Sequence, residues 1–171
     1  IGSRGLGDVY KRQVLMDGNH SIDRCYEVSS AALKSLFRAM SECGVNIKGT
    51  ILKPNMVTSG ASCDSQASIQ EVAEMTLRCL QENVPAELPG ITFLSGGQSD
   101  INSTAHLNAM NKIGGFPWKL SFSYGRALQQ AALKAWLGKA ENMPDAQAAL
   151  SHRALMNKLA AQGAWSSDLE G

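Results

Sequence analysis

The fold of this 171-residue chain is decided by a stretch near its middle, Ile91-Thr92-Phe93-Leu94-Ser95-Gly96-Gly97. The stretch begins with apolar and β-branched residues, as in a buried strand, and a pair of glycines ends it. Similar short strands are predicted on either side, at residues 47–57 and 119–124. Segments with helical periodicity lie between them. Because strands that alternate with helices form parallel sheets, the chain is predicted to belong to the α/β class.

The spacing of apolar residues predicts helices before, between and after these strands. Gly44 is expected just past the first helix, and Ser68 with Glu71 predicts a capping box at the start of the second. The predicted order is αβαβαβα with one further helix. The expected helices cover residues 21–42, 68–83, about 103–112, 126–137 and about 144–162.

Three strands are too few for a complete (β/α)₈ barrel, which has eight strands and at least about 200 residues. The chain is therefore either a small doubly wound domain or one part of a larger barrel. Two successive strand ends carry glycine-containing loops of a type that binds phosphate. In (β/α)₈ barrels phosphate commonly binds after the seventh and eighth strands. This favours the C-terminal part of a barrel, with about three of its eight strands.

Composition excludes several classes of partner. The formal net charge is +1, from 16 basic and 15 acidic side chains, which predicts no nucleic-acid partner. The sequence has no apolar run of the roughly 18 residues that a membrane span needs, so no membrane association is expected.

The cysteines and histidines bear on location and metal content. There are four cysteines, with no C-x-x-C pair, and three widely separated histidines. Without an apolar secretory signal at the N-terminus, we expect reduced thiols and a cytoplasmic location. We expect no metal site, because no cysteine or acidic partner lies at ligand spacing from any histidine. These residues are Cys25, Cys43, Cys63, Cys79, His20, His106 and His152.

Lys53 is the candidate nucleophile, since it lies near the end of an apolar strand. A dry, charged lysine is costly, and a neutral amine attacks carbonyl groups. The alternative is that Lys53 lies at a sheet edge or pairs with a carboxylate. Its place near the carboxyl end of the strand, where βα loops build active sites, favours a functional role without settling it.

Two loops are candidates for phosphate binding. Ser95 and Gly96 follow one strand, where a glycine lets a ligand approach backbone N–H groups. Ser123, Gly125 and Arg126 follow the next strand, where a helix begins and the arginine offers a guanidinium fork. Each loop alone could equally be a tight turn or a surface arginine. Their occurrence at two successive strand ends favours a phosphate site.

The sequence resembles the class I, Schiff-base fructose-1,6-bisphosphate aldolases, and its bacterial members more than its animal ones. The resemblance runs from about Val14 to Trp165, in register, over several motifs. These are GTILKPNMV (residues 49–57), FLSGGQS (93–99), LNAMN (107–111), FSYGRALQ (122–129) and ALKAW (132–136).

The resemblance implies a function for each candidate. Lys53 matches the Schiff-base lysine of a lyase that reversibly cleaves fructose 1,6-bisphosphate in glycolysis. Ser95 and Gly96 match one side of the substrate phosphate site, and Gly125 and Arg126 match the other, with Ser123 beside them. The family implies a sugar phosphate substrate, no metal or other cofactor, and a homotetrameric intact enzyme.

The chain also departs from the family. Lys11-Arg12-Gln13 stands where the family has Glu-Pro-Glu, one glutamate of which is an acid/base, and the upstream strands are missing. We therefore expect residues 1–13 to be a leader foreign to the family and residues 14–171 to be a partial barrel domain. The alternative to a fragment of the lyase is a catalytically incomplete chain that retains only phosphate binding or assembly with a partner.

Overall fold

A computed structural model describes residues 14–171, and within them five α-helices surround a three-stranded parallel sheet. The predicted α/β class and the order of elements are confirmed. In chain order the elements are α1 (Ile22–Glu42), β1 (Ile51–Leu52), α2 (Ile69–Asn83), β2 (Gly90–Phe93), α3 (Asp100–Ile113), β3 (Lys119–Phe122), α4 (Arg126–Trp136) and α5 (Met143–Ala160).

The helix ends follow from local capping chemistry. The Ser21 hydroxyl accepts a hydrogen bond from the Arg24 amide at the start of α1. Ser68 and Glu71 form the predicted capping box at the start of α2. Gly44, just past α1, has φ +65°, a conformation that glycine adopts at no steric cost.

The sheet has the strand order β1-β2-β3, with β2 paired in parallel on both sides. Ile91 of β2 lies opposite Leu52 of β1 and Leu120 of β3. This register aligns the carboxyl ends of the three strands at one edge. Residues that follow the strands are therefore brought together there.

Backbone pairing continues past the strand ends. The Leu94 amide donates to the Pro54 carbonyl at 3.0 Å, and the Ser123 amide donates to the Phe93 carbonyl at 2.8 Å. These bonds hold the residues that follow each strand at nearly the same level along the strand direction. The candidate site is formed by these residues.

The predicted boundaries were wrong mainly at the first strand and at the start of α3, and β3 ends at Phe122, two residues before the expected Tyr124. The first strand covers only Ile51–Leu52, because a 3₁₀ turn at Ile47–Gly49 precedes it and Pro54, with no N–H, follows it. The turn is capped by Asn46, whose side chain accepts from the Lys48 amide. Helix α3 begins at Asp100, earlier than expected, because the Ser99 hydroxyl caps its first turn.

The core lies between the sheet and the helices. Ile91 and Phe93 of β2, Leu80 of α2, and Leu107 and Met110 of α3 are almost fully buried. In contrast, Ile51 of β1 is 63% exposed, and within residues 14–171 β1 pairs with β2 alone. The sheet is therefore packed at its centre and open along β1.

Candidate active site

Lys53 lies directly after β1 rather than within it, and it is half-buried. Its Nζ atom donates a hydrogen bond to the Ser123 hydroxyl at 2.9 Å. Ser123 directly follows β3, so the contact spans all three strand ends. The structure thus brings together a candidate nucleophile and a residue that sequence reasoning had assigned to the phosphate site.

Asn55 holds the backbone that follows Lys53. Its side-chain amide donates to the Ser29 hydroxyl of α1 at 3.2 Å, and its oxygen accepts from the Val14 amide at 3.2 Å. A polar side chain with partners on both ends restricts the local backbone. Lys53 therefore extends from a segment that is anchored to α1.

The loop after β2 contains Ser95, which is buried, and two glycines with positive φ. Gly96 has φ +62° and Gly97 has φ +96°, conformations that a larger residue adopts only with strain. The Gln98 amide donates to the Ser95 carbonyl at 3.0 Å and closes the turn. We call residues 95–98 the glycine loop.

Arg126 begins α4 and lies against the glycine loop. A Cβ atom placed on Gly97 would lie 3.6 Å from an Arg126 Nη atom. Both Gly125 and Arg126 are exposed. The structure therefore places a guanidinium group beside a glycine-lined backbone at the start of a helix, an arrangement that suits a phosphate group.

Gln98 and His106 connect the glycine loop to the Lys53 segment, and sequence reasoning had given neither a role. The His106 Nδ1 atom lies 2.6 Å from the Gln98 oxygen, and the Gln98 amide nitrogen lies 3.5 Å from the Met56 sulfur. Burial lowers the pKa of His106 from 6.5 to about 4. The ring is thus neutral near pH 7, and its contact fixes the Gln98 side chain.

Tyr124 is a further residue that the sequence did not assign. Its phenol donates to the Ser103 carbonyl of α3 at 2.9 Å, and burial raises its pKa. Tyr124 lies between Ser123 and Gly125. It therefore ties the loop after β3 to the first turn of α3, which follows the glycine loop.

Two other features concern cofactors and cavities. Among residues 14–171, no group of three histidine, cysteine or acidic side chains is arranged to hold a metal ion. A cavity of about 460 Å³ is lined by α1, α2 and the β1 segment, and Lys53 and Asn55 are among its lining residues. Its other lining residues are mostly apolar, and it does not include the glycine loop or Arg126.

The helices in the described part of the chain include none long and apolar enough to cross a membrane. The four cysteines are free thiols in the structure, and Cys25 and Cys79 are buried.

The comparisons with known proteins agree with this architecture. The model of the family described as fructose-bisphosphate aldolase class-I matches residues 2–171. A probable class 1 fructose-bisphosphate aldolase of Xanthomonas axonopodis pv. citri is 56% identical over 163 residues, which are 95% of this chain and 49% of that protein. Fructose-bisphosphate aldolase B of Gallus gallus is 49% identical over 160 residues, which are 93% of this chain and 44% of that protein.

A solved structure gives the same result. It is the fructose-bisphosphate aldolase of Plasmodium falciparum in complex with TRAP and a small-molecule inhibitor. It superposes with a TM-score of 0.88 at 45% identity, over 91% of this chain and 45% of that one.

This chain therefore belongs to the class I fructose-bisphosphate aldolase family, and its sheet and helices are part of a (β/α)₈ barrel. The predicted family and barrel are confirmed, and identity is higher to the bacterial relative than to the animal one. The chain spans about half the length of the curated relatives it matches.

The expected boundary at residue 14 stays a prediction. Residues 1–13 lie outside the described part of the chain. The family match begins at residue 2 and so runs through most of the segment that we expected to be foreign to the family.

Proposed function

We propose that this chain is part of a lyase that reversibly cleaves fructose 1,6-bisphosphate, with Lys53 as the amine that forms the Schiff base. The observation that carries the proposal is the Lys53 Nζ atom, held 2.9 Å from Ser123 at the aligned strand ends. Membership of the class I aldolase family supports the reaction type.

In the proposed reaction, the Lys53 amine attacks the ketone carbon of the sugar. Loss of water leaves a protonated imine, which accepts the electron pair of the C3–C4 bond as that bond breaks. The C4 hydroxyl gives up its proton to a base and becomes the aldehyde of glyceraldehyde 3-phosphate. The remaining enamine takes a proton at C3, and water then releases dihydroxyacetone phosphate and the free amine.

The glycine loop and the start of α4 are proposed to bind a substrate phosphate. Ser95, Gly96, Gly125 and Arg126 are the proposed contacts, with Ser123 beside them. Arg126 lying against Gly97 supports this assignment, because the guanidinium and the loop backbone would face the same anion. Holding the phosphate here would orient the ketone toward Lys53.

The intact enzyme is proposed to be a cytoplasmic homotetramer that needs no metal or other cofactor. These points rest on family resemblance. One relative is a chloroplastic aldolase of Chlamydomonas reinhardtii, so members of the family differ in location.

A second candidate function is a catalytically incomplete chain that binds phosphate or assembles with a partner. The open edge at Ile51 and the adjoining cavity of about 460 Å³ favour it. Unpaired strand edges and exposed apolar grooves promote association. We expect the 171-residue chain alone to be unstable or to aggregate, and to lack full aldolase activity. Near-normal cleavage of fructose 1,6-bisphosphate by the purified chain would contradict this expectation.

Reductive trapping separates the two candidates. The chain is mixed with dihydroxyacetone phosphate, reduced with borohydride, and digested for mass spectrometry. An adduct on Lys53 supports the lyase. Absence of an adduct, together with phosphate binding that is lost in Arg126→Met, supports the incomplete chain.

A further inference from the structure

An ion pair between a buried arginine and a partly buried glutamate lies next to the helix that follows the glycine loop. Arg153 of α5 is 5% exposed, and its guanidinium donates two hydrogen bonds to the Glu170 carboxylate, at 2.9 and 2.7 Å. The Trp165 indole N–H donates to the same carboxylate at 2.9 Å. Burial raises the pKa of Glu170, but the hydrogen bonds from Arg153 and Trp165 outweigh it, so the pKa lies below its usual value.

The same guanidinium reaches the first turn of α3. It donates to the Thr104 hydroxyl at 3.3 Å and lies 3.6 Å from the Asp100 carboxylate. The Thr104 hydroxyl is also 2.8 Å from the Asp100 carbonyl oxygen. Asp100 is the first residue of α3, and it follows the glycine loop after one intervening residue. Arg153 thus fixes the point at which the chain leaves that loop.

The same turn is also held by the loop after β3. The Tyr124 phenol donates to the Ser103 carbonyl at 2.9 Å. The first turn of α3 is therefore held both by α5 and by the Ser123–Arg126 segment. The side chains that fix it join the two proposed phosphate loops.

We propose that Arg153 and Glu170 are positioning residues, which orient the glycine loop for phosphate binding by holding the first turn of α3. The inference rests on the proposed function of that loop. A buried ion pair often adds little net stability compared with apolar residues of the same size. A geometric role accounts for charges at this position, because the guanidinium fork fixes both distance and direction.

The test is Glu170→Gln in the 171-residue chain, using the monomeric fraction isolated by size-exclusion chromatography at low protein concentration, with inorganic phosphate as the probe. Its dissociation constant is expected to rise roughly threefold to tenfold. Hydrogen exchange at the Asn102 and Ser103 amides is expected to accelerate. Glu170→Asp, which keeps the charge, is expected to recover much of the affinity and provides a milder variant.

Glu82→Gln is the matched control. Glu82 of α2 pairs with Arg78 at 3.0 Å and accepts from the Tyr26 phenol, so the change removes one charge from an exposed network of the same residue types. This network lies between α1 and α2, away from both loops. Phosphate affinity and exchange at the start of α3 are expected to stay unchanged in this variant.

The outcomes separate this inference from the proposed function. Equal phosphate affinity and equal α3 exchange in Glu170→Gln and the unmodified chain would overturn the positioning role. Equal weakening in Glu170→Gln and Glu82→Gln would overturn it as well, because general destabilisation would then explain the effect. If the unmodified chain binds no phosphate, the proposed phosphate site fails, and the exchange comparison still decides whether the ion pair holds α3.

Discussion

The buried His106 ring should make the stability of the fold depend on pH. The side chain is 6% exposed, and burial lowers its pKa from 6.5 to about 4. Between these values the unfolded chain binds a proton that the folded chain does not. The free energy of unfolding should therefore fall as the pH is lowered from about 6.5 towards 4, and this contribution is fully present above that range.

The size of the effect follows from the two pKa values. At pH 5 the imidazole is almost fully protonated in the unfolded chain, but only about one-tenth protonated in the folded chain. The contribution of His106 to the free energy of unfolding should therefore be about 2 kcal/mol lower at pH 5 than at pH 7. That loss is large compared with the few kcal/mol that hold a small domain together.

The assay is urea unfolding at pH 7 and pH 5, followed by tryptophan fluorescence from the buried Trp118 and Trp165. His106→Gln, whose amide can still donate to Gln98, should remove about 2 kcal/mol of the pH-dependent loss. Leu133→Gln, a change to glutamine at an exposed position that removes no titratable group, is the control and should leave the loss unchanged. An equal loss of stability in His106→Gln and in the unmodified chain between the two pH values would show that His106 does not cause the pH dependence.

Three further predictions concern the core and the site. Phe93→Ala should cost about 3–5 kcal/mol in urea unfolding, because Phe93 is fully buried, whereas Leu133→Ala at an exposed position should cost under about 0.5 kcal/mol. Arg126→Met should raise the dissociation constant for inorganic phosphate about tenfold or more, measured by calorimetry, whereas Arg38→Met on the exposed side of α1 should not. Ser123→Ala should slow reductive trapping about fivefold to tenfold, and Ser123→Thr should restore it; an unchanged rate in Ser123→Ala would contradict a role for the contact.

The element boundaries that were predicted well are those fixed by residues close together in the sequence. The start of α2 was predicted because Ser68 and Glu71 satisfy each other's backbone groups within one turn. The length of β1 was not predicted, because the Asn46 cap turns residues 47–49 into a 3₁₀ turn before the strand can begin. The β-branched residues before Pro54 do not show that residues 47–49 form a 3₁₀ turn instead of extending the strand.

The site was predictable at the level of strand ends but not of side-chain contacts. Lys53 and Ser123 were named separately, and their hydrogen bond joins residues 70 positions apart. His106 carried no sequence signal, because its role depends on the turn that brings Gln98 onto α3. Arg153 was predicted only to lie in the last helix. Its role could not be predicted, because its partners lie on α3 and in the 3₁₀ turn Ser167–Glu170.

The role of Lys53 as the Schiff-base residue can be tested by locating the reduced adduct of dihydroxyacetone phosphate on the chain. We expect one predominant adduct on Lys53, which disappears in Lys53→Arg and weakens when dihydroxyacetone without phosphate is used. Other lysines, including Lys48 and Lys119, should remain largely unlabelled. Labelling spread over the other lysines, or unchanged in Lys53→Arg, would contradict the assignment of Lys53 as the Schiff-base residue.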